Sequence, residues 1–200
     1  MRRLNLFKRL FEVALSKVFR FRRAANARWN NSENLSLDWN ERTAVIARLI
    51  PPGGSVTDVG AGLQNLRKLM PESTMYTPVD LIKRTTDTVV VDLNEESPEK
   101  LPQADYGVFS GVIEYIHTPS SVLAGSRARF KFIIVTYAAA RKASAAEYLW
   151  RSTNGWVNHY SETDFELLLE KAGWAVLERS RWGDQIIFLA ESRHGGHNDS

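Results

Sequence analysis

The sequence predicts an α/β fold, a mostly parallel sheet whose last two strands form an antiparallel edge pair. Three observations carry this. From Ser55 onward, short apolar runs alternate with helix-patterned stretches. A glycine turn, Gly60-Ala-Gly62, follows the first apolar run. Two closing apolar runs, Trp174–Arg181 and Gln185–Glu191, flank Gly183-Asp184 as a hairpin would.

The elements follow in chain order. In residues 1–30, Leu4, Phe7, Leu10, Phe11, Ala14, Leu15, Val18 and Phe21 recur at steps of three and four. At roughly 100° per residue they share one helix face. Arg2, Arg9, Ser16, Arg20 and Arg23 gather near the opposite face. Lys8, Arg9 and Glu12 interrupt any apolar core, so the arm is a poor secretory signal; an organellar transit peptide has the same Arg-rich texture. The body spans 31–192. Ser36 or Asp38 caps a leading helix over 38–50, which Pro51-Pro-Gly-Gly54 stops. Strands are expected at Val56–Val59, Met75–Val79, Thr88–Val91, Tyr106–Ser110 and Phe130–Tyr137, and helices at Leu63–Met70 and Pro119–Arg127. Ser161-Glu-Thr-Asp164 starts a helix through Ala172, and Gly173 ends it. Residues 193–200 read as an unstructured tail.

Composition sets limits. With 200 residues, 44% hydrophobic and 24% charged, the chain is an ordinary globule of one main domain. Cysteine is absent, which excludes disulfides, thiolate metal sites and a cysteine nucleophile. The longest apolar run, Phe132 to Ala140, falls well short of the roughly 20 residues of a membrane span. The formal charge of +3 is unevenly spread. Residues 1–30 hold nine Lys or Arg against one acid, and the remainder is mildly acidic. A chain-wide nucleic-acid surface is therefore disfavoured. The arm is left as a contact for an anionic membrane surface or a protein, or as a helix that packs on the body or self-associates.

The sharpest segment is Val56-Thr-Asp58-Val-Gly60-Ala-Gly62-Leu-Gln-Asn65. Glycines there let backbone approach a ligand, and helix N–H groups would then face it. Asn65 stands where a dinucleotide fold wants a small residue, which weakens a nicotinamide or flavin reading. Asp80 ends the second strand and suits two ribose hydroxyls. Asp92 ends the third; its carboxylate suits an adenine amino group, with the Leu93 backbone N–H facing a ring nitrogen. Either acid could instead be a solvated strand end.

With those residues the chain resembles the class I S-adenosylmethionine-dependent methyltransferases, over about residues 38–192. Asp58-Val-Gly-Ala-Gly62 matches the family's first motif, Asp80 its ribose acid and Asp92-Leu93 its adenine pair. Phe109-Ser-Gly-Val-Ile-Glu-Tyr-Ile-His117 matches the fourth-strand segment. The resemblance implies a Rossmann-like, seven-stranded, three-layer α/β/α domain that binds S-adenosylmethionine. It assigns Asp58, Gly60, Gly62, Asp80, Asp92, Leu93, Ser110, Gly111 and Tyr115 to the cofactor. Only Leu81 to Asp87 join strands two and three, so the family's helix there should be missing, and Pro98 and Pro102 keep the next one short.

His159 is the first candidate base, with Glu114 and His117 as further catalytic candidates; packing or solvated roles are the alternative for each. No metal site is expected, since His194 and His197 lack carboxylate partners. Ser110-Gly111-Val112-Ile113 lacks the Pro-Pro-aromatic segment that, in the family, marks methylation of planar nitrogens. A small-molecule, sugar or lipid-linked hydroxyl is therefore the expected acceptor, and the expected location is cytoplasmic or membrane-peripheral. A non-catalytic donor-binding module of the same fold is the alternative.

Overall fold

Residues 39–141 and 144–193 are described in the computed structural model. The expected basic arm, and all but the first residue of the expected tail, lie outside them. The elements are α1 (Trp39–Arg48), β1 (Ser55–Val59), β2 (Met75–Asp80), β3 (Val89–Val90), β4 (Ala104–Phe109), α2 (Pro119–Ser126), β5 (Phe130–Ala138), α3 (Ala145–Thr153), α4 (Glu162–Lys171), β6 (Trp174–Trp182) and β7 (Gln185–Ser192). The strands form one sheet in the order β3-β2-β1-β4-β5-β7-β6. β7 runs antiparallel to both β5 and β6, and the other pairs are parallel. This is the Rossmann-like sheet with the expected terminal hairpin.

Period-two alternation sorts the strand residues into two cores. Ile133, Val135 and Tyr137 of β5 join Phe109, Phe188 and the α2 and α4 residues Val122, Leu123, Phe165 and Leu169 on one face. Ile134 joins Val108, Ile187, Val56 and the Ile46 and Ile50 side chains on the other. Helix α1 therefore covers one face and α2 with α4 the other, which makes three layers. Gly107 sits in β4 because the Phe130 ring occupies the space of a side chain; a Cβ there would lie 2.3 Å from it. Trp174, fully buried at the start of β6, donates its indole N–H to Leu123 O at 2.8 Å and fastens the hairpin to α2.

Helix α4 begins as its sequence foretells. Ser161 Oγ accepts from the Asp164 backbone N–H at 3.2 Å. Ser161→Ala is expected to lower stability by about 1 kcal/mol, measured by urea denaturation.

Three expectations need correction. Leu63–Met70 is not an α-helix; only a single 3₁₀ turn, Arg67–Leu69, forms there. Gly60, Gly62 and Gln64 have φ of 74°, 52° and 54°, and left-handed residues at such spacing deny an α-helix its first turn. Gln64, the one non-glycine in that region among the described residues, is held by Nε2 donating to Thr85 Oγ1 at 2.6 Å. The third strand is shorter than expected and ends at Val90, two residues before Asp92. Helix α3 was not expected at all. The short links were anticipated: no α-helix lies between β2 and β3, and Pro98–Lys100 is a single 3₁₀ turn.

Candidate functional site

Strand register places the motif residues in a row. Val59 pairs with Val79 and with Phe109, Phe109 pairs with Val135, and Asp80 pairs with Val90. Gly60, Asp80, Ser110 and Thr136 are therefore neighbours along the carboxyl edge of the parallel strands. Open α/β sheets bind ligands at that edge.

Asp80 organises the glycine turn. Its Oδ2 accepts the Gly62 N–H at 2.8 Å and its Oδ1 accepts the Ile82 N–H at 3.0 Å. The Gly60 and Ala61 N–H groups both go to Val79 O, at 2.8 and 3.0 Å. The expected array of helix N–H groups is thus replaced by a turn clamped from β2. At Gly60 a Cβ would lie 2.4 Å from Val112 Cγ2, so the β1 and β4 turns pack directly on each other. Asp92 sits in a turn: its Oδ1 accepts the Asn94 N–H at 3.0 Å and its own N–H donates to Glu96 Oε2 at 2.9 Å. Asn94 joins this turn to the next, donating to Tyr115 O at 3.1 Å and accepting the His117 N–H at 2.8 Å. Leu93 is buried as a core side chain. Gly111, with φ of 68°, donates its N–H to Thr136 Oγ1 at 2.8 Å. A Cβ on it would stand 3.1 Å from Arg42 Nη1, so the α1 guanidinium lies over this turn.

Asp58 lies one residue inside β1 and is buried, where its Oδ2 accepts the Tyr76 hydroxyl at 2.5 Å. Burial pushes its carboxyl up to about 6, against the opposing hydrogen bond from Tyr76. A carboxyl raised this way is stabilising below the unfolded value near 4, and that contribution is lost as pH rises through about 6. Asp58→Asn, neutral throughout, is therefore expected to exceed the wild type in stability by about 3 kcal/mol above pH 6, and to match it below about pH 4. Thermal melts at both ends of this range check the sign.

The three catalytic candidates stand in different surroundings, although the Val157 N–H donates to Glu114 O at 2.8 Å and ties the loop that carries His159 to Glu114. Glu114, a catalytic candidate whose alternative was a helix-start or solvated carboxylate, lies in the 3₁₀ turn Ile113–Tyr115 and is 1% exposed. Its Oε1 accepts the Ala138 N–H at 2.8 Å, while Oε2 has no hydrogen-bond partner among the described residues. Burial pushes its carboxyl up, and Arg42 and Arg151 oppose this. His117 is exposed and contributes its backbone N–H to Asn94. His159 is half-buried against Tyr148, with ring centroids 4.5 Å apart. Its Nδ1 accepts from Arg151 Nε at 3.1 Å.

Arg151, which no sequence pattern singles out, is the centre of this region. It is 1% exposed. It donates to Ala138 O at 2.6 Å, Asn158 O at 3.1 Å and Tyr137 Oη at 3.2 Å, and lies 4.8 Å from the Trp156 ring centroid. Trp156 in turn donates to Tyr115 Oη at 3.2 Å, so α3, β5 and the turn after β4 form one network. Among the described residues no cluster of His, Asp and Glu could hold a metal ion.

The model of a family described as a methyltransferase domain matches residues 32–179. The chain belongs to that family. The methyltransferase domain is also similar to solved structures. The calicheamicin-biosynthesis methyltransferase CalO1, solved with S-adenosylhomocysteine, is 17% identical; 89% of this chain and 60% of that chain are covered, with a TM-score of 0.61. Human N-acetylserotonin methyltransferase, solved with S-adenosylmethionine, is 19% identical over 82% and 55% of the two chains, with a TM-score of 0.61. The pyocyanin biosynthetic protein PhzM is 19% identical over 75% and 54%, with a TM-score of 0.57. At these identities the likeness is one of fold, and this chain spans little more than half the length of those proteins. No curated protein matches the sequence.

The residues of the methyltransferase domain fit S-adenosylmethionine, the donor of its family. Asp80 receives one N–H on each oxygen and keeps lone pairs for hydroxyls. Asp92 is a carboxylate in the turn that follows β3, with one oxygen accepting the Asn94 N–H. Glu114 Oε2 is a buried acceptor at the same edge, without a partner among the described residues.

Proposed function

We propose that this chain transfers a methyl group from S-adenosylmethionine to a small-molecule, sugar or lipid-linked acceptor, at a hydroxyl. The observation that carries the reading is the row Gly60, Asp80, Ser110 and Thr136 along one sheet edge, with Asp80 clamping Gly62. In this reading Asp80 takes the ribose, Asp92 and the Leu93 N–H take the adenine, and Gly60, Gly62, Ser110, Gly111 and Tyr115 line the donor's remaining length. The buried Asp58 acts from below by holding Tyr76 and the end of β1. The donor supplies a methyl group already activated on a sulfonium, so the chain's task is alignment of an in-line displacement. Support for a hydroxyl comes from the missing Pro-Pro-aromatic segment, and from similar folds described as a mitomycin 7-O-methyltransferase and an O-methyltransferase in complex with apigenin.

Calorimetry with S-adenosylhomocysteine tests donor binding. Labelled donor added to cell extract, followed by product identification, tests transfer and names the acceptor. The reduced link after β1 favours a second reading, a donor-binding module without transfer; binding with no labelled product in any extract would select it.

For residues 1–30 we propose peripheral contact with an anionic membrane, on the strength of nine basic residues against one acid. No helix among the described residues is long and apolar enough to cross a membrane. Flotation with anionic vesicles at stated salt should show binding by the full chain and less by a chain starting at residue 31. Equal binding by the two would end this reading.

A further inference from the structure

His159 would be the natural base of a methyl transfer to a hydroxyl, but its surroundings assign it another role. A base needs a lone pair on the nitrogen that meets the substrate. Arginine has only donors, so the 3.1 Å contact from Arg151 Nε makes His159 Nδ1 the acceptor. In the neutral ring one nitrogen bearing a lone pair obliges the other to carry the hydrogen. Nε2 is then an N–H.

Arg151 has no freedom to leave this arrangement. Its Nη1 and Nη2 are held by Ala138 O, Asn158 O and Tyr137 Oη, and the guanidinium lies over the Trp156 and Tyr137 rings. The loop that carries His159 is fixed as well: Tyr160 O accepts the Ala140 N–H at 2.8 Å just beyond β5, and Tyr160 N donates to Tyr137 Oη at 3.0 Å. His159 thus stands past the carboxyl end of β5, on the sheet edge where the motif residues lie.

We propose that Arg151 is a positioning residue that locks His159 in the neutral form with its hydrogen on Nε2, so that the ring offers a hydrogen to a ligand oxygen and no lone pair to take a proton. The groups facing the ring set its charge. Burial and Arg151 hold the imidazole below its ordinary value, and Glu147 on α3 opposes them. Tyr148 packs edge-on against the ring. The ligand class that fits is one presenting a hydroxyl, carbonyl or carboxylate oxygen. That this oxygen belongs to the methyl acceptor rests on the proposed function; the state of the ring does not.

Removing a neutral hydrogen bond to substrate costs about two- to tenfold, whereas removing a general base costs about 10²–10⁴-fold. The two roles are therefore far apart, and the ring can be read directly without any substrate. Long-range ¹H–¹⁵N spectra of the full chain labelled at histidine show which nitrogen carries the hydrogen. The chain has four histidines, and His159→Gln identifies the signal by its loss. The expected result is a lone pair on Nδ1, a hydrogen on Nε2, and a titration midpoint below the ordinary histidine value. Arg151→Lys keeps the charge but loses the Nε–H, and is expected to give a mixture of the two neutral forms. A wild-type ring with its hydrogen on Nδ1, or a midpoint above the ordinary histidine value, overturns the proposal. So does an unchanged spectrum in folded Arg151→Lys; if that variant does not fold, the wild-type spectrum decides alone. Failure of S-adenosylhomocysteine to bind would remove the proposed function and leave this measurement standing.

Discussion

Arg151→Met is expected to lower the unfolding free energy by about 3–5 kcal/mol. Methionine fills much of the volume but donates nothing. Ala138 O, Asn158 O and Tyr137 Oη then lose a donor inside the protein, where no water replaces it. Glu114 also loses one of the two guanidinium charges that offset its burial. A domain of this size has a total stability of about 5–15 kcal/mol, so the variant should be near the threshold for folding at 37 °C. Denaturant titration followed by tryptophan fluorescence measures the loss. A change below about 1 kcal/mol would show that the network around Arg151 is replaceable.

Asp80→Ala is expected to weaken S-adenosylhomocysteine binding several hundredfold, with a much smaller effect on stability. Two losses combine. The carboxylate can no longer accept ribose hydroxyls, and hydrogen bonds to a charged group are worth about 1.5–3 kcal/mol each. The Gly62 and Ile82 N–H groups also lose their shared acceptor, so the glycine turn is no longer held in its binding form. Calorimetry on Asp80→Ala and Asp80→Asn separates the two. The asparagine keeps one oxygen for the backbone and should bind more tightly than the alanine. Binding within tenfold of wild type by Asp80→Ala would remove Asp80 from the donor site.

The α/β class and the closing hairpin could be read from the sequence because each depends on local pattern; the strand order, set by pairing between distant residues, could not. The apolar run Phe130–Tyr137, the turn at Gly183-Asp184 and the cap at Ser161 are all short-range signals. The strand-end places of Asp58 and Asp80 were legible for the same reason, whereas Asp92 lies two residues past the end of β3. The misread segment, Leu63–Met70, has helical spacing but depends on something spacing does not record. Gln64 is held left-handed by Thr85, a residue on the far side of β2. Arg151 was missed because an arginine in a polar stretch looks solvated, and only the tertiary fold supplies acceptors enough to bury it. Arg42 escaped notice on α1 in the same way, although its side chain reaches Gln185 of β7 at 2.8 Å. The helix-start position of Glu114 was legible, but its burial was not, since the Ala138 N–H that its carboxylate accepts comes from β5.

The place of β7 has a consequence for how the chain matures on the ribosome. β5, the most apolar strand, pairs on one side with β4, which precedes it, and on the other with β7, which follows α3, α4 and β6. During synthesis its second edge stays open until residues 185–192 emerge. An open apolar edge is a template for pairing with other chains. Such non-local closure is also slow. Nascent chains stalled before Gln185 should therefore be chaperone clients and prone to aggregate, whereas those stalled after Ser192 has cleared the exit tunnel should not.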